Sequence, residues 1–341
     1  MKTEIFSKTG NRFKANLHCH TVFSDGVKTP EEIKKIYRSQ GYSIVAFSDH
    51  NVLVDHSELN DDRFLALLAT EYNVTKGTDG RGPFRPCYHI NFYPRRAHMD
   101  RLPAFDPSYI RGKSMERMRA EQKYIGSPDY KRSYENVQEM LDIFRENDFI
   151  AMLNHPTWSG QTAADYLDLD SFFAVELYNH GCYTEGYQEV NDHLWDELLW
   201  AGKRVFGTAT DDNHNLYPEG TPAWDSCGGF TVIQADELTQ EAVTAALEAG
   251  RFYASRGPLF ESIALENDIL TVETSPVAKI SLNTGSRRAR VAYPESGKTT
   301  ITAATFDLSA LPHSYVRLTI EDERGLQAWS QPIWDYTGKR D

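Results

Sequence analysis

The chain has no long apolar run and few cysteines. No stretch of about 18 apolar residues occurs in its 341 residues, so we expect no membrane-spanning helix. The first eight residues lack the apolar region of a secretory signal peptide. The four cysteines show no paired spacing, which argues against a disulfide framework and a CxxC zinc knuckle. These absences predict a cytoplasmic protein.

The chain also lacks an excess of positive charge. Its formal net charge of −13 argues against broad nucleic-acid binding. Residues 76–132 are the exception, with 13 Lys/Arg and 6 Asp/Glu, a local charge of +7 that leaves −20 on the remainder. A basic segment of this kind is either a cover over a site for an anionic substrate or a solvated surface insertion. We expect a small anionic molecule that carries a phosphate group as the partner, and the oligomeric state is left open.

Short apolar runs alternate with helical stretches over the first 255 residues. Thr29, Pro30 and Glu32 form a capping box that predicts a helix through Ser39. Seven or so strand–helix repeats favour a parallel barrel of the α/β class. From about Leu259 the pattern changes to period-two alternation, which predicts a small antiparallel β-sandwich. The predicted domains are a barrel over 1–258, with residues 76–132 inserted over its mouth, and a sandwich over 259–341.

Polar residues with metal-binding chemistry follow many of these apolar runs. His18 and His20 lie two apart in an extended stretch and share one face, with Asp25 close behind. Imidazoles and carboxylates converging on one point are typical ligands of divalent ions. Barrel enzymes place their catalytic groups at strand ends of this kind. The full set of candidate ligands is His18, His20, Asp25, His50, Glu71, His89, His155, Asp212 and His214.

His89 lies in a different setting. The run Cys87–Tyr93 follows a glycine-rich stretch at 77–82, so we expect it to fold back as a hairpin on Glu71–Thr75. That hairpin would bring His89 beside Glu71.

Nine ligands are too many for one ion, which suggests a cluster of two or three ions bridged by a carboxylate.

The candidate ligands fall into six motifs. These are HxHxxxxD (His18, His20, Asp25), SDH (Ser48–His50), a lone Glu71, a downstream His89, NHP (Asn154–Pro156) and DxH (Asp212–His214). In this order over residues 16–214 they resemble the polymerase and histidinol phosphatase (PHP) family. Residues 250–258 and 328–334 are similar to the tail of a PHP branch that includes carbamate hydrolases.

The resemblance implies a distorted (β/α)7 TIM-like barrel with a trinuclear metal centre at its strand ends. The ligands it implies are His18, His20, Glu71 and Asp212 for one ion, Glu71, His89 and His155 for a second, and Asp25, His50 and His214 for the third. The resemblance implies two or three divalent ions. They would be manganese, iron or zinc, since a mixed set of nitrogen and oxygen ligands binds all three metals. Members of the family carry either His or Asp at the position of Asp25, and Asp211 could exchange roles with Asp212.

The metal set predicts a metal-dependent phosphoesterase that uses a metal-activated hydroxide on a small phosphorylated metabolite or nucleotide. Asp212 is a candidate for both metal binding and proton transfer. Arg256 and His180 are candidate substrate contacts, although a salt bridge or a packed histidine would explain them as well. Asp49 and Asn154 are expected to orient neighbouring ligands, and Cys19 to be a buried small residue.

Two other functions stay open. The same metal centre could hydrolyse carbamate, amide or ester bonds, or the chain could be a non-catalytic sensor of a phosphorylated ligand. DNA proofreading is disfavoured by the acidic charge. Four further histidines are expected to be structural, because no pattern surrounds His56, His98 and His313 and because His193 lies in a predicted helix.

Overall fold

A computed structural model describes residues 2–77, 85–286, 288–309, 311 and 314–334. The strands are β1 (Lys2–Phe6), β2 (Arg12–Asn16), β3 (Ile44–Phe47), β4 (Leu65–Leu68), β5 (Thr70–Thr75), β6 (Cys87–Pro94), β7 (Arg101–Leu102), β8 (Lys123–Tyr124), β9 (Phe149–Leu153), β10 (Ala174–Asn179), β11 (Phe206–Thr210), β12 (Phe230–Gln234), β13 (Phe252–Ser255), β14 (Phe260–Glu266), β15 (Ile269–Val277), β16 (Lys279–Thr284), β17 (Arg290–Ala292), β18 (Ile301–Asp307), β19 (Val316–Glu321) and β20 (Gln327–Ser330).

The described residues contain seven α-helices. They are α1 (Pro30–Ser39), α2 (Met115–Glu121), α3 (Val137–Glu146), α4 (Ala163–Tyr166), α5 (His180–Thr184), α6 (Asp192–Trp200) and α7 (Gln240–Glu248). Short 3-10 turns lie at Ser57–Leu59, Pro107–Tyr109 and Tyr134–Asn136. Helix α1 begins with the predicted capping box, since Thr29 accepts from the Glu32 amide and Glu32 accepts from the Thr29 amide. None of these helices has the length and apolar character needed to cross a membrane.

The strands form a mixed α/β fold with three larger sheets. A five-stranded sheet has the order β11-β10-β9-β6-β5, and a nine-stranded sheet has the order β17-β16-β19-β20-β13-β12-β2-β3-β4. A four-stranded sheet has the order β1-β14-β15-β18, and β7 pairs with β8. The α/β class is therefore as the sequence predicts.

The predicted barrel strands are divided between the five-stranded and nine-stranded sheets. At one seam β4 runs into β5 with Ala69 between them, and at the other the Thr231 hydroxyl donates to the Ala209 carbonyl at 3.0 Å. The strands are not all parallel, because β6 is antiparallel to both β5 and β9, and β12 is antiparallel to β2. A continuous hydrogen-bonded (β/α)7 barrel is thus not shown, and its closure stays a prediction.

The predicted hairpin is confirmed. Strands β5 and β6 pair antiparallel, with Asn73 opposite His89 and Glu71 opposite Asn91. This register brings the His89 Nδ1 to 3.1 Å from the Glu71 Oε1, as the sequence suggested.

The strands after residue 259 are shared between two sheets. Strands β14, β15 and β18 form one sheet with the N-terminal β1, which pairs with β14 and is a partner that the sequence did not reveal. Strands β16, β17, β19 and β20 continue the nine-stranded sheet through β13. Side chains from both sheets share one core cluster that includes Ile263, Val272, Leu282 and Leu318. A separate C-terminal sandwich over 259–341 stays a prediction, and residues 287, 310, 312–313 and 335–341 lie outside the described residues.

The basic insertion at 76–132 packs on two loops, those that follow β2 and β3. Ser114 donates to the Val22 carbonyl at 2.8 Å, and Asn51 donates to the Tyr109 carbonyl at 3.2 Å. Gly112 adopts a φ of +98° where a Cβ would lie 1.9 Å from the Ser24 carbonyl oxygen, so only glycine fits this approach. Residues 78–84 of the insertion lie outside the described residues, and its role as a cover stays a prediction.

A buried ion pair ties β19 to α6. Arg317 is 1% exposed and makes two hydrogen bonds to Asp196, at 3.1 and 3.0 Å, while its guanidinium lies 4.9 Å from the Trp195 ring centroid. If the guanidinium is removed, the Asp196 carboxylate stays partly desolvated but has lost its counter-charge, which destabilises the folded protein.

We therefore expect Arg317→Met to lower the free energy of unfolding by roughly 2–3 kcal/mol, measured by urea denaturation. The control is Arg324→Met, which breaks an exposed pair with Asp322 and should cost less than about 0.5 kcal/mol. Equal effects of the two substitutions would contradict the structural role of the buried pair.

Candidate metal centre

The nine side chains singled out in the sequence lie together, since eight of them follow the ends of β2, β3, β4, β9 and β11 and His89 lies on β6. They form four overlapping groups in which the candidate ligand atoms all lie within 4.8 Å of one another. The groups are His20–Asp25–His50–His214, His18–Glu71–His155, His18–His20–Asp212 and His50–Glu71–His89. The structure thus brings all nine together, and four of them, His18, His20, His50 and Glu71, each belong to two groups.

Glu71 lies at the centre of the cluster and is 1% exposed. Its Oε1 lies 3.3 Å from the His18 Nε2 and 3.1 Å from the His89 Nδ1. Its Oε2 lies 3.2 Å from the His20 Nε2 and 3.1 Å from the His50 Nδ1. One carboxylate therefore faces four imidazole rings, two from each oxygen, which is the arrangement of a bridging ligand.

The loops meet at the cluster through backbone pairing between distant segments. Cys19 forms a parallel bridge with Asn213, and His50 forms one with Glu71. The amide of Asp212 donates to the His18 carbonyl at 2.9 Å. These contacts fix the loop after β2 against the loop after β11, so that ligands nearly 200 residues apart share one site.

The donor atoms fit a cation. His18 Nδ1 lies 2.8 Å from the fully buried Glu176 carboxylate, so a proton on Nδ1 leaves a lone pair on Nε2. That Nε2 lies 3.1 Å from the His20 Nε2 and 3.1 Å from the Asp212 Oδ1. Lone pairs and carboxylate oxygens this close repel one another unless a proton or a metal ion lies between them. His50 Nδ1 is also buried, and although the Glu71 Oε2 lies 3.1 Å away, this nitrogen makes no hydrogen bond.

The pKa shifts agree that the cluster stabilises positive charge. Burial alone would lower the pKa of His18, but the carboxylates of Asp212 and Glu71 raise it to about 10. Glu71 likewise raises the pKa of His89 to about 10 against the effect of burial. Burial would raise the pKa of Glu71, yet the surrounding imidazoles hold it well below its usual range. Burial, with His20 close by, lowers the pKa of His50 to about 3.

Two candidate ligands occupy unusual backbone conformations. His155 has a φ of 25° and Asp212 a φ of 51°, a region that residues other than glycine seldom adopt. A Cβ on Gly181, the second residue of α5, would lie 2.8 Å from the Asp211 carbonyl oxygen and 2.9 Å from the Asp212 carbonyl oxygen. Strain at these positions is consistent with side chains held for a purpose other than stability.

The structure separates the two neighbouring aspartates. Asp212 points into the cluster, 3.0 Å from the His20 Nε2. Asp211 points away and accepts hydrogen bonds from the Tyr37 hydroxyl and from the amides of residues 227–229. Asp211 therefore anchors the loop that precedes β12 and lies outside the ligand set.

The expected orienting residues differ in what they contact. Asn154 donates to the Glu71 Oε1 at 2.8 Å, directly on the shared carboxylate. Asp49 accepts from the Thr21 amide and hydroxyl and from the Ser24 hydroxyl, so it holds the loop that carries Asp25. Cys19 is fully buried, as expected.

Glu176 was missed by the sequence reasoning. It is fully buried on β10, and its Oε1 contacts the His18 Nδ1 at 2.8 Å and accepts from Thr210 at 2.7 Å. Its Oε2 accepts from the His155 amide at 2.8 Å and from the Asn179 amide group at 2.9 Å. Its only sequence signal is a carboxylate inside an apolar strand, where an unpaired charge would be costly.

A cavity of about 390 Å³ opens over the cluster. Seven of the nine candidate ligands line it, namely Asp25, His50, Glu71, His89, His155, Asp212 and His214. Among the described residues, neither His180 nor Arg256 belongs to the lining. His180 Nδ1 lies 2.8 Å from the Tyr178 hydroxyl, and the Arg256 guanidinium stacks on Tyr178 at 4.2 Å from the ring centroid. Their substrate contacts stay predictions.

The remaining histidines lie elsewhere. His56 is buried between Phe23 and Phe47, and His98 and His193 are exposed beside carboxylates. His313 lies outside the described residues.

Comparison with known proteins gives partial likenesses. No family model matches the chain. The 5′-3′ exoribonuclease of Haemophilus influenzae is 32% identical over 71 residues, which are 20% of this chain and 26% of that protein. The match therefore spans only about a quarter of that relative.

Two solved structures are also similar. A two-domain protein from Bacteroides vulgatus, said to contain a predicted PHP-like metal-dependent phosphoesterase, is 14% identical with a TM-score of 0.46 over 96% of both chains. A proposed metal-dependent phosphoesterase from Bifidobacterium adolescentis is 17% identical with a TM-score of 0.36, over 61% of this chain and 89% of that one. Both scores are below 0.5, so neither likeness decides the fold or the activity.

The contacts of Glu176 predict an effect on metal binding. In Glu176→Gln an amide N–H₂ replaces an oxygen that accepts two hydrogen bonds, so the orientation of His18 or of the His155 loop is lost. We expect the affinity for divalent ions to fall about 10- to 100-fold, measured by competition with a chromophoric chelator. Asp106→Asn is the control, because this buried carboxylate pairs with Ser108 and Lys131 away from the cluster. Unchanged affinity in Glu176→Gln would contradict its role.

Metal binding should release protons. In the ion-free protein the pKa of His18 and of His89 is about 10, so both rings hold protons at neutral pH that an ion must displace. The affinity therefore rises with pH below that value, by about tenfold per pH unit for each proton displaced. Calorimetry at pH 6, 7 and 8, in two buffers of different ionisation enthalpy, measures the affinity for the metal ion and the number of protons released. Affinity that is independent of pH over this range would contradict the expectation.

Proposed function

We propose that this protein is a metal-dependent hydrolase, and most specifically a phosphoesterase that acts on a small phosphorylated molecule. The observation that carries the proposal is the convergence of nine His, Asp and Glu side chains in four overlapping groups around Glu71, at the floor of an open cavity. The motif resemblance to the PHP family supports it. The short likeness to an exoribonuclease is consistent with phosphoester chemistry.

The chain's own residues would hold two or three divalent ions of manganese, iron or zinc. When bound, such ions activate water at neutral pH and stabilise charge on a phosphoryl oxygen. Glu71 faces four of the imidazoles and is the proposed bridge, with His18, His20 and Asp212 on one side and His50 and His89 on the other. His155 lies 3.5 Å from the Glu71 Oε1, and Asp25 and His214 complete the outer group.

Asp212 is proposed chiefly as a ligand. Burial would raise its pKa, but the nearby His18 and His20 lower it, so the carboxylate stays ionised. A carboxylate that holds its proton weakly is a poor base, which favours the ligand role over proton transfer. The strands around the site would form the wall of the PHP-like barrel, although they are hydrogen-bonded as two sheets.

A second candidate is hydrolysis of a carbamate, amide or ester bond on the same centre. The cavity favours it in one respect, because no lysine or arginine belongs to its lining among the described residues. A phosphate there would be neutralised by ions alone. A non-catalytic sensor is disfavoured, since the full candidate ligand set is assembled and open to the cavity.

The test is a metal count on the purified and reconstituted protein, together with a hydrolysis panel of phosphoesters, carbamates, amides and esters. We expect two or three ions per chain, and phosphoester hydrolysis that a chelator abolishes and added ions restore. Full activity with fewer than two ions would contradict the cluster. Cleavage of carbamates or amides with phosphoesters untouched would favour the second candidate.

Substitution Glu71→Gln tests whether Glu71 is a ligand shared between ions. Because Glu71 belongs to two of the groups, its substitution should reduce the bound ions and lower kcat/KM by at least about a hundredfold. Glu237→Gln, at an exposed position before α7, is the matched control and should leave both unchanged. Normal metal content in Glu71→Gln would contradict its bridging role.

A further inference from the structure

The part of the cavity lining that lies outside the candidate ligands is apolar and acidic. Four of its members are Trp158, Leu216, Tyr217 and Ala223, and its two further carboxylates are Glu185 and Asp225. No basic side chain belongs to it among the described residues. A substrate bound to the cluster would therefore place the remainder of its structure against apolar surface and negative charge.

Trp158 is held beside the cluster by a backbone hydrogen bond and by two ring contacts. The buried Glu189 accepts from the Trp158 amide at 2.7 Å and from the Thr157 amide at 3.1 Å. The indole lies edge-on to His155, with ring centroids 4.9 Å apart, and 5.3 Å from His89. The indole is thus a fixed surface next to two candidate ligands and in contact with the cavity.

Leu216 and Tyr217 provide apolar surface elsewhere in the same lining. They are 64% and 57% exposed, so they offer apolar surface to a molecule bound in the cavity. The loop that carries them is anchored, because Asp225 accepts from the amide and the side chain of Asn215 at 2.9 Å. The cavity therefore combines a fixed indole with an apolar rim.

Glu185 sets the charge of this region. Its Oε2 accepts from the Trp158 Nε1 at 3.2 Å, so a carboxylate lies at the indole edge. Asp225 is already engaged with backbone amides, whereas Glu185 is exposed at the cavity. A second anionic group on the substrate would meet this carboxylate, and a cationic one would be attracted to it.

We propose that the leaving group of the substrate is a flat, unsaturated ring that stacks on Trp158 and carries a neutral or cationic substituent near Glu185. This inference rests on the proposed function, because it assigns the non-phosphoryl end of that phosphoester. In the reaction, water adds to phosphorus and the bond from phosphorus to the ring-bearing oxygen breaks. The phosphate retains the oxygen of the water, and the leaving oxygen takes up a proton.

Binding of phosphonates that cannot be hydrolysed tests whether the Trp158 site prefers a ligand with an aromatic ring. Metal-loaded protein should bind benzylphosphonate about tenfold more tightly than butylphosphonate, measured by calorimetry. Trp158→Leu should abolish this preference. Trp200→Leu is the matched control, since Trp200 is 53% exposed at the end of α6 and outside the cavity lining, and it should retain the preference.

Three aryl phosphates test whether Glu185 favours a positively charged substituent on the ring. They carry 3-aminomethyl, 3-methyl or 3-carboxymethyl groups on the phenyl ring, where the methylene limits differences in leaving-group reactivity. We expect kcat/KM to be at least about fivefold higher for the ammonium substrate than for the carboxylate substrate. Glu185→Gln keeps the acceptor for the indole and should reduce that ratio towards one, while Glu237→Gln should not.

The outcomes separate this inference from the proposed function. Hydrolysis of phosphoesters without a ring preference, or a preference that survives Trp158→Leu, would overturn the ring site. A charge ratio that is unaffected by Glu185→Gln would overturn the role of Glu185. A Trp158-dependent phosphonate preference without hydrolysis of any phosphoester would support the ring site and contradict the phosphoesterase proposal.

Discussion

The burial of one carboxylate among four imidazoles is the constraint on which the rest of the site depends. Glu71 is almost fully buried, and each of its oxygens lies within 3.3 Å of two ring nitrogens. Such a concentration of donor atoms is stable only when positive charge lies among them, supplied by protons or by metal ions. Neighbouring groups, among them Asn154 and Glu176, orient the members of this cluster.

The fold brings the ligands around Glu71 because the strand ends of two sheets meet there. The loop after β2 pairs with the loop after β11, and the loop after β3 pairs with the start of β5. The antiparallel pairing of β6 with β5 adds His89 from a position that no simple strand–helix repeat would supply. Strain at His155 and Asp212 accompanies this geometry.

Charge is distributed unevenly around the site. The basic insertion packs against the loops beside the cluster, yet its described lysines and arginines do not line the cavity. The cavity instead presents an indole and carboxylates beyond the candidate ligands. Under the proposed function, an anionic group would lie against the bound ions and the apolar remainder against Trp158, a division of the substrate that net charge does not predict.

The sequence by itself determined the candidate ligands, the α1 capping box and the β5–β6 hairpin, because each depends on local spacing. It could not identify Glu176, whose importance comes from contacts with His18 and the His155 amide across the chain. Nor could it show that β1 joins β14, or that Arg256 stacks on Tyr178 outside the cavity lining. Only the tertiary structure decided these points, since pairing and burial between distant segments leave no periodic signal in the chain.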